Sequence, residues 1–550
     1  MNAPNPALVS QRAVQRIPRL ALLLFCGAYV LPGVFGRDPW KNADITAFGY
    51  MMNLARGASP WHLPSLGGVP SDGGVLPYWL GAVFIKLGNG WLAPELAARI
   101  PFALLLVLTL ALLWYATYYL ARTEDAQPLP FAFGGEAKPQ DYARAIADAS
   151  LLALISTLGL LQLGHETTPE LMQLAATAMF IFGLAASPTR PWVARAALVL
   201  APAMLAASAA PATALMLSLT GLLVNWRSRF EAARKTVPWQ LLGLLIAAGL
   251  AHLLDTWAWR TGTPQGMAGL PKLLAWFTWP VWPLAAWTLW QWRAHVSHRH
   301  VSVPLLCALV AMASCLTMGS SDRALMLALP SLAVLAAFAL PTLQRSMGAA
   351  IDWFSVFFFS GWALAFWVVY LSMQTGLPAK PAVNVARLLP GFEPSFSAWA
   401  LLWAALGTAA WIWLVSWRTG RHRHPIWKSL VLPAGGVALN WLLAMTLLLP
   451  PLDFAFTYMP MVQRIARHIP KGACIDASQL KIPQVAALEI PGRWRVDARQ
   501  GGANAACVWR LVDLPFKRAA PELAGWRLVA RERRPGDRGE TIVIYRRSPG

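Results

Sequence analysis

Asp44 is the residue whose type and setting best suit proton transfer. It stands in WKNADITAFGYMMNLARG (residues 40–57), where Ile45, Phe48, Met52 and Ala55 recur at near-helical spacing. The segment reads as a short amphipathic helix lying on a membrane, with Asp44 near its start. An aspartate there is either a helix cap, accepting backbone N–H groups, or a general base that removes a proton from an acceptor hydroxyl. A second acidic group lies in GHETTPE (164–170), with His165, Glu166 and Glu170 at a turn between two apolar runs. His165 and Glu166 are metal-ligating residue types, and adjacent in sequence they supply half of a divalent site. Solvated carboxylates on an exposed turn are the plainer reading. Arg56, Lys86, Arg260, Lys272 and Arg323 lie near apolar segment ends. Guanidinium groups suit bidentate phosphate contact, and each of these cations equally suits a lipid headgroup. A carboxylate beside such cations would fit a site that binds a lipid phosphate and deprotonates an acceptor.

The elements that must position these residues are apolar helices. The 550-residue chain is 57% hydrophobic and only 13% charged, against about 25% charged in soluble domains. Apolar runs long enough to cross ~30 Å of hydrocarbon recur along the first 450 residues. We place spans at 20–35, 97–120, 148–164, 169–187, 193–208, 211–225, 238–254, 272–291, 301–318, 324–342, 352–373, 398–416 and 429–449, thirteen in all. The basic segment with Arg12, Arg16 and Arg19 precedes the first run, and VLPGVFG after it is a poor cleavage site, so the first span is expected to be retained.

The net charge of +21 would suggest nucleic acid in a soluble protein. Here the excess Lys and Arg sit in loops, where they set orientation and meet anionic lipid. Orientation also decides the ambiguous stretch from Val75 to Leu92. If it crossed, the basic loops 226–235, 293–300 and 417–428 would all face outside, against the positive-inside rule. Laid in the interface, it leaves them inside. The N-terminus is then cytoplasmic, and the outside face carries a large 37–96 loop, the 164–169 turn and everything after residue 450. Residues 451–550 have soluble composition and alternating runs, which predicts a small α/β domain ending in a strand at Glu540–Arg546. Of five cysteines, Cys474 and Cys507 share this region and could pair if it lies outside the cytoplasm; Cys26, Cys307 and Cys315 fall in spans.

The order of motifs resembles the polytopic glycosyltransferases of the GT-C type, nearest the protein-mannosyltransferase and aminoarabinose-transferase (ArnT-like) family. An Asp-bearing loop after the first span leads into LPYWLGAVFIKLGNGWLAPELAARIPFALL (76–105), similar to that family's juxtamembrane helix and next span. GHETTPELMQLAA resembles its second acidic motif, and SDRALMLALPSLAVLAA (321–337) one of its later spans. MVQRIARHIPKGACIDASQL (461–480) and RPGDRGETIVIYRR (534–547) resemble the periplasmic domain of bacterial members. The resemblance implies an all-α polytopic membrane fold with a small C-terminal periplasmic α/β domain. It implies an inverting transfer of sugar from a polyprenyl-phosphate donor to a lipid A, glycan or protein acceptor, at the periplasmic face of a bacterial inner membrane. Asp44 would be the base, and Glu170 would occupy the second acidic position. Arg260, Arg323, Arg56 and Lys86 would hold the donor phosphate. No cofactor is required, with a divalent metal on His165 and Glu166 left open; the partners are lipids and sugars, without nucleic acid.

The sequence departs from the family at four places. The family's Asp-Glu with a nearby Arg is Asp44-Ile45-Thr46-Ala47 here, and SDGGV (71–75) replaces a Lys before the juxtamembrane helix. The second acidic residue is Glu170, one methylene longer than Asp, and Ala209-Ala210-Pro211 replaces a Lys-Gly. These departures favour a rival reading, a non-catalytic relative that binds lipid-linked sugar or an envelope partner. A lipid or solute transporter is the third reading. It would want ionisable residues at mid-span, and Asp255 and Asp352 fall at span ends.

Overall fold

A computed structural model describes residues 5–72, 74–257, 270–317, 321–419, 426–499, 507–515, 518–535, 537 and 539–548. The chain divides into two compact units, each assembled from three stretches. The first comprises Met1–Gly33, Phe102–Leu364 and Leu402–Leu443; the second comprises Val34–Pro101, Ala365–Leu401 and Ala444–Gly550.

The first unit is a bundle of apolar helices. Pro169–Ala186, Pro191–Ala207 and Pro211–Trp226 each begin on a proline, which suits the first turn because that N–H has no partner within the helix. Across the described residues of both units, seven helices are long and apolar enough to cross a membrane, from Pro94–Ala121 to Ile426–Ala444, which makes this a multi-pass membrane protein. Several expected spans are shorter or broken. The first is Arg19–Val30, 12 residues that rise about 18 Å before Pro32. The 272–291 run is two helices, Leu270–Phe277 and Val281–Gln291, with Pro280 between them. The 148–164 run ends as a helix at Ile155 and resumes as Leu160–Leu163.

The second unit is mixed. Helix α1 (Ala43–Arg56) buries ten of the eleven residues from Asp44 to Leu54, all but Thr46. It stops at Gly57, whose φ of 73° is left-handed and whose N–H returns to Leu54 O and Asn53 O, a turn that L side chains adopt only with strain. Helix α2 (Leu76–Leu87) packs against α1. Its Gly81 is needed for that approach, since a Cβ there would run into the Met51 side chain. At 12 residues, α2 rises about 18 Å, too little to cross ~30 Å of hydrocarbon.

The C-terminal part holds β1 (Cys474–Gln479), helix α3 (Ile482–Glu489), β2 (Arg495–Asp497), β3 (Trp509–Asp513), β4 (Trp526–Arg533) and β5 (Thr541–Arg547). They form one sheet ordered β2-β1-β3-β5-β4. β1 pairs parallel with β2 and β3, as its crossover through α3 requires, while β5 runs antiparallel to β3 and β4. Cys474 and Cys507 form a disulfide. Within this unit α1 lies on α3: Asn53 Nδ2 donates to Glu489 Oε1 at 2.8 Å, and Gly67 N–H donates to Glu489 Oε2 at 2.7 Å. Arg534, 1% exposed, donates to Glu540, Asp537 and Ala455 O, so β5 and the segment before the sheet share one cation.

Candidate active-site clusters

The first cluster is built at the start of α1. Asp44 is the second residue of the helix, and Asn42 takes the cap position without a side-chain bond, so Asp44 is not the cap. Its Oδ2 instead accepts the Trp40 N–H at 3.0 Å, reaching back across the turn that precedes the helix. The same oxygen lies 3.4 Å from Arg37 Nη1, and both side chains are 1% exposed. The Arg37 guanidinium also stacks over the Trp40 ring at 4.6 Å. Arg99, another buried cation, donates to Val34 O at 3.5 Å and lies within electrostatic reach of Arg37, Asp44 and Asp453. Asp453 completes the group: its Oδ1 accepts Asp38 N–H at 3.0 Å and Trp40 Nε1 at 2.9 Å. Burial, and then the nearby Asp38 charge, push the Asp453 carboxyl above its ordinary value, against the pull of the Trp40 hydrogen bond and of Arg37. Two arginines and two aspartates thus share a largely dry pocket, an arrangement in which each charge depends on its neighbours. The cation beside Asp44 is thus Arg37, which stands before the helix.

The second cluster belongs to the first unit. Arg323, in the short helix Asp322–Met326, donates through Nη2 to Glu166 Oε2, and its Nη1 lies 3.4 Å from Thr168 Oγ1 and 3.8 Å from Glu170 Oε2. Burial opposes the Arg323 charge, and the carboxylates of Glu166 and Glu170 outweigh it, raising the guanidinium above its ordinary value. Glu166, 2% exposed at its side chain, also accepts Gln162 Nε2 at 3.0 Å. Glu170 sits in the first turn of Pro169–Ala186, where the helix dipole favours a carboxylate.

Of the two residues expected to ligate a metal, Glu166 pairs with Arg323. The ring nitrogens of His165 lie 2.7 Å from Leu161 O and 2.9 Å from Tyr29 O. Among the described residues no group of three or more His, Cys, Asp or Glu could hold a metal ion. Of the remaining cations, Lys86 lies over the Trp61 ring at 4.9 Å, and Arg56 ends α1 as an exposed side chain. Arg260 lies outside the described residues. Arg37, Arg99 and Asp453 were missed by sequence reasoning. The one signal for them was that Arg37, Asp38 and Trp40 open the polar loop directly after the first apolar run.

No protein-family model matches the chain, and no curated protein matches it. Its fold is similar to solved structures of ArnT from Cupriavidus metallidurans. The crystal structure bound to undecaprenyl phosphate aligns with a TM-score of 0.57 at 14% identity, over 96% of this chain and 96% of that chain. The apo-state structure aligns at 0.56 and 15% identity, again over 96% of each chain. At such identity the likeness is one of fold, and it extends over nearly the whole length. The resemblance to the ArnT-like GT-C architecture seen in the motifs is met by the arrangement of the chain.

Proposed function

We propose that this protein is a membrane glycosyltransferase that moves a sugar from a polyprenyl-phosphate donor to a hydroxyl of a lipid A, glycan or protein acceptor. In this reading residues 1–450 form a thirteen-span module with the N-terminus in the cytoplasm. Residues 451–550 lie on the periplasmic side of an inner membrane. The observation that carries the reading is the whole-length likeness to ArnT, a protein crystallised with undecaprenyl phosphate. Asp44 takes the proton of the acceptor hydroxyl as that oxygen bonds to the anomeric carbon. The bond from the anomeric carbon to the phosphate oxygen breaks, and polyprenyl phosphate leaves with the electron pair. Arg37 keeps the Asp44 carboxylate oriented before transfer. Lys86 steadies the charge of the departing phosphate; the resemblance implies the same role for Arg260, Arg323 and Arg56, and the second acidic position for Glu170. No cofactor is required in this reading, and a divalent metal stays open.

A second reading, a non-catalytic relative that binds lipid-linked sugar, is favoured by one observation: Asp44 and Arg37 form a closed pair at 1% exposure. Sugar transfer in proteoliposomes from radiolabelled polyprenyl-phosphate sugars separates the two. Transfer that falls at least ~100-fold in Asp44→Asn, with folding unchanged, supports the enzyme. Donor binding without transfer in the wild type supports the relative.

A further inference from the structure

A cavity of about 330 Å³ opens in the second unit, within the ~300–1,000 Å³ of ligand pockets. Ile45, Phe48 and Met52 line it from one stripe of α1, and Met459, Ile490 and Pro94 add further apolar wall. That stripe is the helix face next to the one bearing Asp44. Four charged side chains also line the cavity: Arg56 and Arg493, with Asp38 and Glu95. Among the described residues neither Arg56 nor Arg493 has an ion pair or a side-chain hydrogen bond, so both guanidinium groups are available. Arg493 is held with φ at 54°, in the left-handed region, at a cost of about 1–2 kcal/mol. The surrounding turn fixes it there: Gly492 N–H donates to Ala487 O at 3.1 Å and Trp494 Nε1 donates to Pro470 O at 2.9 Å. Asp38 Oδ2 accepts a single side-chain bond, from Thr457 Oγ1 at 3.3 Å.

An apolar wall with two unpaired cations and two carboxylates matches a ligand that carries both charges and an alkyl chain. The geometry points to a binding site for a zwitterionic phospholipid, with its phosphate on Arg56 and Arg493, its primary ammonium on Asp38 and Glu95, and its acyl chain against the Ile45–Phe48–Met52 stripe. A phosphate receives charge-assisted bonds from guanidinium groups. A primary ammonium donates three bonds, which a quaternary ammonium cannot replace. The site is separate from the proton-transfer chemistry proposed for Asp44, and it reaches that chemistry through the shared helix: Asp38 adjoins Arg37, and Ile45 adjoins Asp44.

Native mass spectrometry of the full chain in detergent tests this, titrating short-chain phosphatidylethanolamine, phosphatidylglycerol and phosphatidylcholine. One retained phosphatidylethanolamine at about tenfold higher affinity than the other two is expected. Glu95→Gln should remove that preference, and Arg493→Gln should weaken all three lipids by roughly tenfold, each with its melting temperature kept. Inorganic phosphate with ethanolamine should displace the lipid poorly; displacement at equal concentration would assign the site to free ions and overturn the lipid reading. Equal retention of all three lipids, or retention unchanged in both variants, would reduce the signal to general detergent-belt lipid and overturn the site. Retention is read by mass without donor or acceptor present, so the outcome is independent of whether sugar transfer is found.

Discussion

Arg37 Nη1 and Asp44 Oδ2 lie 3.4 Å apart with both side chains 1% exposed, and the turn between them is closed by the Trp40 N–H on the same carboxylate oxygen. The pair joins the end of the first apolar segment to the first turn of α1. It therefore positions the helix as well as its acid.

Removing the cation should matter more than replacing it. Arg37→Met deprives a buried carboxylate of its guanidinium, and breaking a buried pair from one side costs about 3–5 kcal/mol. Arg37→Lys keeps the charge and loses the planar fork, so a smaller loss is expected. Chemical denaturation of the detergent-solubilised chain should rank the stabilities wild type, Lys, Met. Equal stability of all three would remove the pair from the account of α1.

Asp453 gives a pH signature. Burial and the Asp38 charge hold its carboxyl above the ordinary value, so the protonated form favours the folded state. That contribution is complete below the unfolded value of about 4 and is lost as pH rises through the higher folded value. Asp453→Asn keeps an acceptor for Trp40 Nε1 and removes the ionisation. Its melting temperature should exceed that of the wild type at pH 7, with the gap closing below about pH 4. A gap that widens toward acid would contradict the assignment.

In the other unit, Glu166 and Glu170 share Arg323 unequally. Glu166 hydrogen-bonds the guanidinium and is 2% exposed, whereas Glu170 stands 3.8 Å away and is 27% exposed. Glu166→Gln should cost about 3–5 kcal/mol, the range for breaking a buried charge pair from one side, and Glu170→Gln under about 1 kcal/mol. If transfer activity is found, Glu170→Gln should lower its rate while leaving the melting temperature nearly unchanged. The reverse order of stabilities would mean that Glu170 carries the arginine.

The Cys474–Cys507 bond closes a separation of 33 residues, which the chain-entropy relation converts to about 4 kcal/mol. Cys474→Ser should lower the melting temperature, and reductant should do the same to the wild type and nothing further to the variant. Alkylation followed by mass analysis, before and after reduction, reports the bond directly.

What the sequence made legible was local. The Ile45–Phe48–Met52 periodicity marks α1, and the alternation around TIVIYRR places the last strand within one residue of Thr541–Arg547. Helices also stand where apolar runs predicted them, although Pro280 and the 156–159 turn divide two of those runs. What stayed hidden was any partnership without a period. Arg37 returns to Asp44 through an irregular turn, and Asp453 meets Asp38 across 415 residues. Neither contact leaves a trace in spacing.

The second unit draws on both ends of the protein, and this sets an order on its manufacture. Arg37, Asp38 and Trp40 leave the ribosome early, whereas Asp453 and Glu489 follow more than 400 positions later, with separations of 415 and 436 for the Asp38–Asp453 and Asn53–Glu489 bonds. At ~5–20 residues per second the first loop waits roughly 20–80 s for the residues that complete it. During that interval its arginine and aspartates must be sheltered by water, lipid or the insertion machinery. A nascent chain released before residue 450 would carry every residue of α1 and none of its C-terminal supports. The first loop is thus completed only once the last hundred residues have arrived.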